Sequence, residues 1–93
     1  MRLIVLQLLK GRLGISTDSR DSVLYAIIDG ILDECRYMYG IYLSEERNSD
    51  ILLVLDWATW KYNHPEDGVI PRSIQFRINN LTIKAVQNES DMG

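Results

Sequence analysis

Apolar residues recur at helical spacing along most of this chain, and this pattern limits the possible folds more than any other feature. Residues 3–13 carry one such stripe, and a longer one runs from about Ser19 to about Tyr39 beside a mostly acidic surface. Gly14 and Gly40 follow the two segments, and glycine is a common residue just after a helix. Two helices are therefore predicted. Their stripes consist of Val5, Leu6, Leu9 and Leu13, and of Leu24, Ile27, Ile28, Ile31, Cys35 and Met38.

The third predicted helix, from about Asp50 to Asn63, is apolar on two faces. A helix that is apolar nearly all round is central in its domain or also contacts a partner, and in a domain of 93 residues we expect both. One face consists of Ile51, Val54, Leu55, Ala58 and Tyr62, and the other of Leu53, Trp57 and Trp60. The candidate N-cap residues are Ser49 for this helix, and Ser16, Thr17, Asp18 and Ser19 for the second helix.

Two prolines shape the connection after the third helix. A residue before proline avoids the helical region, so His64 before Pro65 predicts the end of that helix. Residues 65–68 have the composition of a turn, and Pro71 suits the first turn of a short fourth helix. We expect this helix to end at residues 79–80, because asparagine tolerates the left-handed conformation. Its apolar stripe consists of Ile74, Ile78 and Leu81.

The segment from Leu81 to Val86 alternates apolar and polar residues, which predicts a strand or an extended arm. One strand alone cannot satisfy its backbone, so a partner chain would supply the pairing. Residues 87–93 are expected to form a frayed tail. The predicted fold class is all-α, a small bundle of three to four helices with a short C-terminal strand or extended arm. The helical domain covers residues 1–80, and the arm and tail cover residues 81–93.

One cysteine, one histidine and a formal net charge of −3 exclude several classes of protein. Cys35 has no second cysteine to pair with, and one cysteine with one histidine cannot form a zinc site, so a reduced intracellular setting is expected. Binding to phosphates needs clustered Lys and Arg, so the acidic pI of about 5.0 argues against bulk binding to nucleic acid. The apolar run in residues 3–9 is too short to span a bilayer, and no membrane partner is expected.

No set of reactive residues stands out as a catalytic site. His64 with Glu66 or Asp67 is the candidate for a small hydrolase, but no nucleophile with an orienting partner accompanies it, and a histidine at a helix end is the simpler interpretation. Asp29 and Asp33 share a helical face, which a solvated surface explains. The prediction is that the protein is not an enzyme and has no cofactor and no metal.

The polar segment Arg72–Asn80 supports an alternative function, that of a small DNA-binding regulator, because Arg, Gln and Asn side chains read base edges. Nothing before it resembles the positioning helix of a helix-turn-helix. Two Trp and five Tyr exceed what so small a core needs, and both residue types are enriched at interfaces. The predicted interface residues are Trp57, Trp60, Tyr62, Arg72, Phe76, Arg77 and Ile83.

The order of these parts resembles a known family. A first helix ending in "LLKGRLGI" precedes a polar, acidic turn, a long helix ending in "YMYG" and a third helix ending in "WATWKYNHPEDGVIPRSI". Over about residues 3–80 this arrangement is similar to the small head–tail connector proteins of tailed bacteriophages and prophages of Gram-positive bacteria. These are also called head-completion or DNA-packaging adaptor proteins. The resemblance rests on the order and spacing of these segments in a chain of this length.

The resemblance implies a structural role in virion assembly. Such proteins bind under the portal as a ring with the axial symmetry of the portal, and they extend the DNA channel. The implied partners are further copies of the chain, the portal protein, the next head–tail adaptor or stopper, and passing genomic DNA without sequence specificity. The implied location is the head–tail interface of the virion, after synthesis in the cytoplasm of the bacterial host. The resemblance implies no catalytic residue.

Overall fold

The structure is a computed structural model that describes the backbone of residues 1–92 and the side chains of residues 1–85. Over this range the secondary structure is helical and contains no strand, which confirms the predicted all-α class. The four helices are α1 (Arg2–Leu13), α2 (Asp21–Met38), α3 (Asn48–Asn63) and α4 (Arg72–Met92).

Two glycines follow the first two helices, as the sequence predicts. Gly14 has a φ of 72° and Gly40 a φ of 65°, a left-handed conformation that costs other residues roughly 1–2 kcal/mol. After Gly14 the backbone N–H of Ile15 donates to the carbonyl oxygen of Lys10 at 2.9 Å. This bond satisfies one of the carbonyl groups that the end of a helix leaves without a partner.

The predicted N-cap side chains do not cap α2 or α3. Arg20 and Arg47 occupy the two cap positions, and neither side chain caps the backbone of its helix. Before α2, the hydroxyl groups of Thr17 and Ser19 lie 3.1 Å apart and bond to each other. Ser49 lies inside α3 rather than before it. The sequence thus predicts the starts of α2 and α3 within a few residues, but it does not predict the hydrogen-bond partners of the polar residues near them.

Ion pairs along α1 give the direction of α2. Lys10, near the end of α1, contacts Asp21 at the start of α2 with 2.8 Å between Nζ and Oδ1. Arg2, at the start of α1, contacts Asp29 further along α2, also at 2.8 Å. The order of the contacts is reversed between the two helices, so α2 runs antiparallel to α1.

Ion pairs to α3 give the directions of α1 and α4. The N-terminal ammonium of Met1 contacts Glu45 just before α3, and Arg12 contacts Asp56 in the middle of α3, both at 2.7 Å. α1 and α3 therefore run parallel. Arg77 of α4 also contacts Asp56, and later residues of α4 lie beside the start of α3. α4 is therefore antiparallel to α3, and also to α1.

α3 is the centre of the bundle, as its two apolar faces predict. Among the helices described, it is the one that contacts each of the other three. Val54, Trp57 and Ala58 of α3 are 0% exposed, and full burial of a large apolar side chain is worth about 1.5–3 kcal/mol. The core consists of Val5, Leu6, Leu9, Leu24, Ile28, Ile31, Cys35, Ile41, Leu53, Val54, Leu55, Trp57, Ala58, Ile74 and Ile78.

The predicted strand over residues 81–86 is wrong, because α4 continues through it and also through the predicted end at residues 79–80. Ile74, Ile78 and Leu81 pack against the core at helical spacing, and this packing carries the helix past the two asparagines. Ile83 is 55% exposed, so the alternating pattern does not describe one buried face. The predicted boundary after residue 80 falls inside α4. The side chains of the predicted tail, residues 87–93, lie outside the described residues.

Candidate interaction surfaces

The connection between α3 and α4 is a corner built around His64 and two prolines. The His64 ring stacks on Trp60 with 5.1 Å between ring centroids and an angle of 18° between the planes. Its Nδ1 lies 3.0 Å from the Trp60 carbonyl oxygen, one of the last carbonyls of α3. The backbone N–H groups of Ile74 and Gln75 donate to the carbonyl of Pro71 at 3.1 and 3.0 Å, where α4 starts. The predicted stop and restart around this corner are confirmed.

The corner does not bring the predicted hydrolase residues together. Glu66 and Asp67 are exposed, and within the described side chains neither bonds to the His64 ring. Asp29, the other candidate carboxylate, accepts two hydrogen bonds from Arg2 at 3.0 and 2.8 Å. Across residues 1–85 there is no group of three or more His, Cys, Asp or Glu that could hold a metal ion. The place of His64 at the end of α3 explains that residue, and the surface ion pair with Arg2 explains Asp29.

Cys35 lies in the core rather than at a reactive site. It is 0% exposed, and burial raises the pKa of its thiol to about 11, with a further contribution from the charges of Glu34 and Asp50. A nucleophilic cysteine needs a lowered pKa and access to solvent. Cys35 has neither property, which agrees with its predicted place on the apolar stripe of α2.

Asp56 joins three helices through one carboxylate. Its Oδ1 accepts a hydrogen bond from Arg12 of α1 at 2.7 Å, and its Oδ2 accepts one from Arg77 of α4 at 2.8 Å. Partial burial tends to raise the pKa of this carboxyl, but the hydrogen bonds and charges of the two arginines outweigh it and hold the pKa below its ordinary value. The carboxylate therefore stays ionised and holds both α1 and α4 to the side of α3 that carries Asp56.

The outer surface of α4 carries an exposed stripe at helical spacing. Phe76 is 64% exposed and Ile83 is 55% exposed, and they lie two turns apart on the same side of the helix. Arg72 and Asn79 complete the row, which we call the α4 stripe. Val69, at 78% exposure, borders a shallow groove at the start of the stripe. Three of the predicted interface residues, Arg72, Phe76 and Ile83, are thus brought together on one surface.

α1 has a second exposed apolar surface, on the side that faces away from the core. Ile4 and Leu8 lie one turn apart and are 38% and 44% exposed, and Gly11 follows one turn later. On the neighbouring helix α3, Leu52 is 46% exposed and lies one turn before Asp56, which Arg12 contacts. We call this surface the α1 face. It consists of Ile4, Leu8, Gly11 and Leu52, while the exposed Leu3 lies about 100° around the helix from Ile4.

The other predicted interface residues have structural roles inside the chain. Trp57 is 0% exposed, so its place in an interface is corrected to a place in the core, where its indole N–H has no acceptor among the described residues. Trp60 is partly buried beneath His64, and the hydroxyl of Tyr62 accepts a hydrogen bond from Arg20. Aromatic content predicts that large side chains are buried somewhere, but it does not distinguish a core from an interface.

Several of the α4 side chains proposed to read DNA already bond to other side chains of the same chain. Arg77 is bound to Asp56, and the amide of Gln75 donates to the side chain of Asn79 at 3.0 Å. Reading base edges requires several side chains that converge on one groove of DNA. Nothing in this arrangement favours the DNA-binding alternative over a surface for protein contacts.

Comparisons with protein-family models, with curated proteins and with solved structures gave no match to this chain. In the described part of the chain, no helix is long and apolar enough to cross a membrane. The functional argument therefore rests on the sequence pattern and on the two exposed surfaces.

Proposed function

We propose that this protein is a structural adaptor that forms a ring under the portal of a tailed bacteriophage, extends the DNA channel and joins head to tail. The sequence resemblance to the head–tail connector proteins suggests this role. The structural observation that supports it best is the presence of two separate apolar surfaces, the α4 stripe and the α1 face, on a four-helix subunit.

Two different surfaces suit an assembly that closes into a ring. A two-fold dimer uses one surface that contacts its own copy, whereas a ring uses two surfaces that meet head to tail around the axis. Large apolar patches on a small protein commonly mark contact sites. The α1 face and the α4 stripe are carried by different helices, α1 and α4, which both contact Asp56 of α3, and each offers exposed apolar side chains to a neighbour.

The size of the subunit is compatible with two such contacts. Its accessible surface is 6257 Å², and a stable interface takes about 800 Å² from each partner. A ring subunit with two neighbours would then bury roughly a quarter of its surface, which leaves room for the portal on one side and the next adaptor or stopper on the other. In this role genomic DNA passes through the ring without sequence-specific contacts, at the head–tail interface of the virion.

Size-exclusion chromatography with light scattering tests the proposal, at several protein concentrations and with or without the cognate portal. We expect a ring of several copies that forms alone or on the portal. A protein that stays monomeric and also does not bind the portal would contradict the proposal. A gel shift at low salt addresses the DNA-binding alternative, because phosphate contacts are strongest there.

A further inference from the structure

We draw no further inference here: the strongest candidate, the exposed apolar α1 face with Ile4 and Leu8 on α1 and Leu52 on α3, carries nothing beyond the proposed function, because nothing in the structure shows what covers it.

Discussion

The carboxylate of Asp56 offers the sharpest test of how the bundle is held together. Asp56→Asn keeps the size of the side chain but removes the charge that Arg12 and Arg77 share. The side chains of Asp56, Arg12 and Arg77 are 38%, 40% and 34% exposed. Each pair is therefore worth only the roughly 0.2–1 kcal/mol typical of exposed ion pairs. Loss of both pairs is therefore expected to cost about 0.4–2 kcal/mol. For a domain of this size that lowers the unfolding midpoint by about 2–16 °C.

The pH dependence of this difference checks the cause. The folded-state pKa of Asp56 lies below its ordinary value of 3.8, so the carboxylate stabilises the fold fully above pH 3.8. That contribution is lost as the pH falls below 3.8 and through the lowered pKa. Thermal unfolding of the wild type and of Asp56→Asn should therefore differ near neutral pH and converge in strong acid. A difference that is absent at neutral pH, or unchanged in acid, would refute the reasoning.

A matched control and a local measurement complete this test. Asp33→Asn removes an exposed carboxylate of α2 that has no ion pair within the described residues, and it should leave the midpoint nearly unchanged. Hydrogen exchange in Asp56→Asn should increase in α4 more than in α2, because α4 contacts only α3 among the helices described. Equal increases throughout the chain would mean that Asp56 supports the whole bundle rather than the attachment of α4.

Two further predictions concern single positions. Gly14→Ala should lower the unfolding midpoint, since Gly14 has a φ of 72°. Gly11→Ala should raise the free energy of unfolding by roughly 0.5–1 kcal/mol, the difference between the two residues inside a helix, and the midpoint should rise with it. Equal effects of the two changes in thermal melts would contradict this account. Cys35 should resist thiol reagents at mildly alkaline pH until the chain unfolds, because burial raises its pKa to about 11. Labelling followed by mass spectrometry across a urea series checks this, and fast labelling of the folded protein would show that Cys35 is accessible.

The first three helices could be predicted from the sequence because their apolar stripes and the residues that end them agree. Gly14 and Gly40 lie where a left-handed residue is needed, and Pro65 follows the end of α3. The N-caps could not be predicted in the same way. Several polar residues stood near each start, and the choice among them depends on contacts with other parts of the chain.

Asp50 shows how such contacts change the role of a residue. The sequence places it in the first turn of α3, where the helix dipole favours an acid. In the structure it is 1% exposed, and its Oδ2 accepts hydrogen bonds from the Ser44 backbone N–H at 2.9 Å and from Arg47 Nε at 2.8 Å. Asp50 thus anchors the connection before α3, which a pattern of neighbouring residues does not reveal.

The C-terminal half of α4 could not be predicted because two periodicities overlap there. Leu81, Ile83 and Ala85 alternate as in a strand, but Leu81 also continues the spacing of Ile74 and Ile78 as in a helix. A strand would need hydrogen-bond partners that the four described helices do not supply, whereas a helix satisfies its own backbone. Packing on α3 therefore decides between the two patterns in favour of the helix.

The α1 face could not be predicted from the sequence, because the apolar residues that predict α1 do not show which side of the helix is exposed. The run "LIVLQLL" is apolar except for Gln7, so its composition does not tell which side of α1 is buried; in the structure Val5, Leu6 and Leu9 lie in the core. A helix at the surface of a bundle can bury only one side, and among the helices described α2 and α3 are the ones that cover α1. Leu3, Ile4 and Leu8 must then face outward. An apolar excess on a helix that the fold places at the surface is thus a signal for a contact, and it becomes readable only when the neighbours of that helix are known.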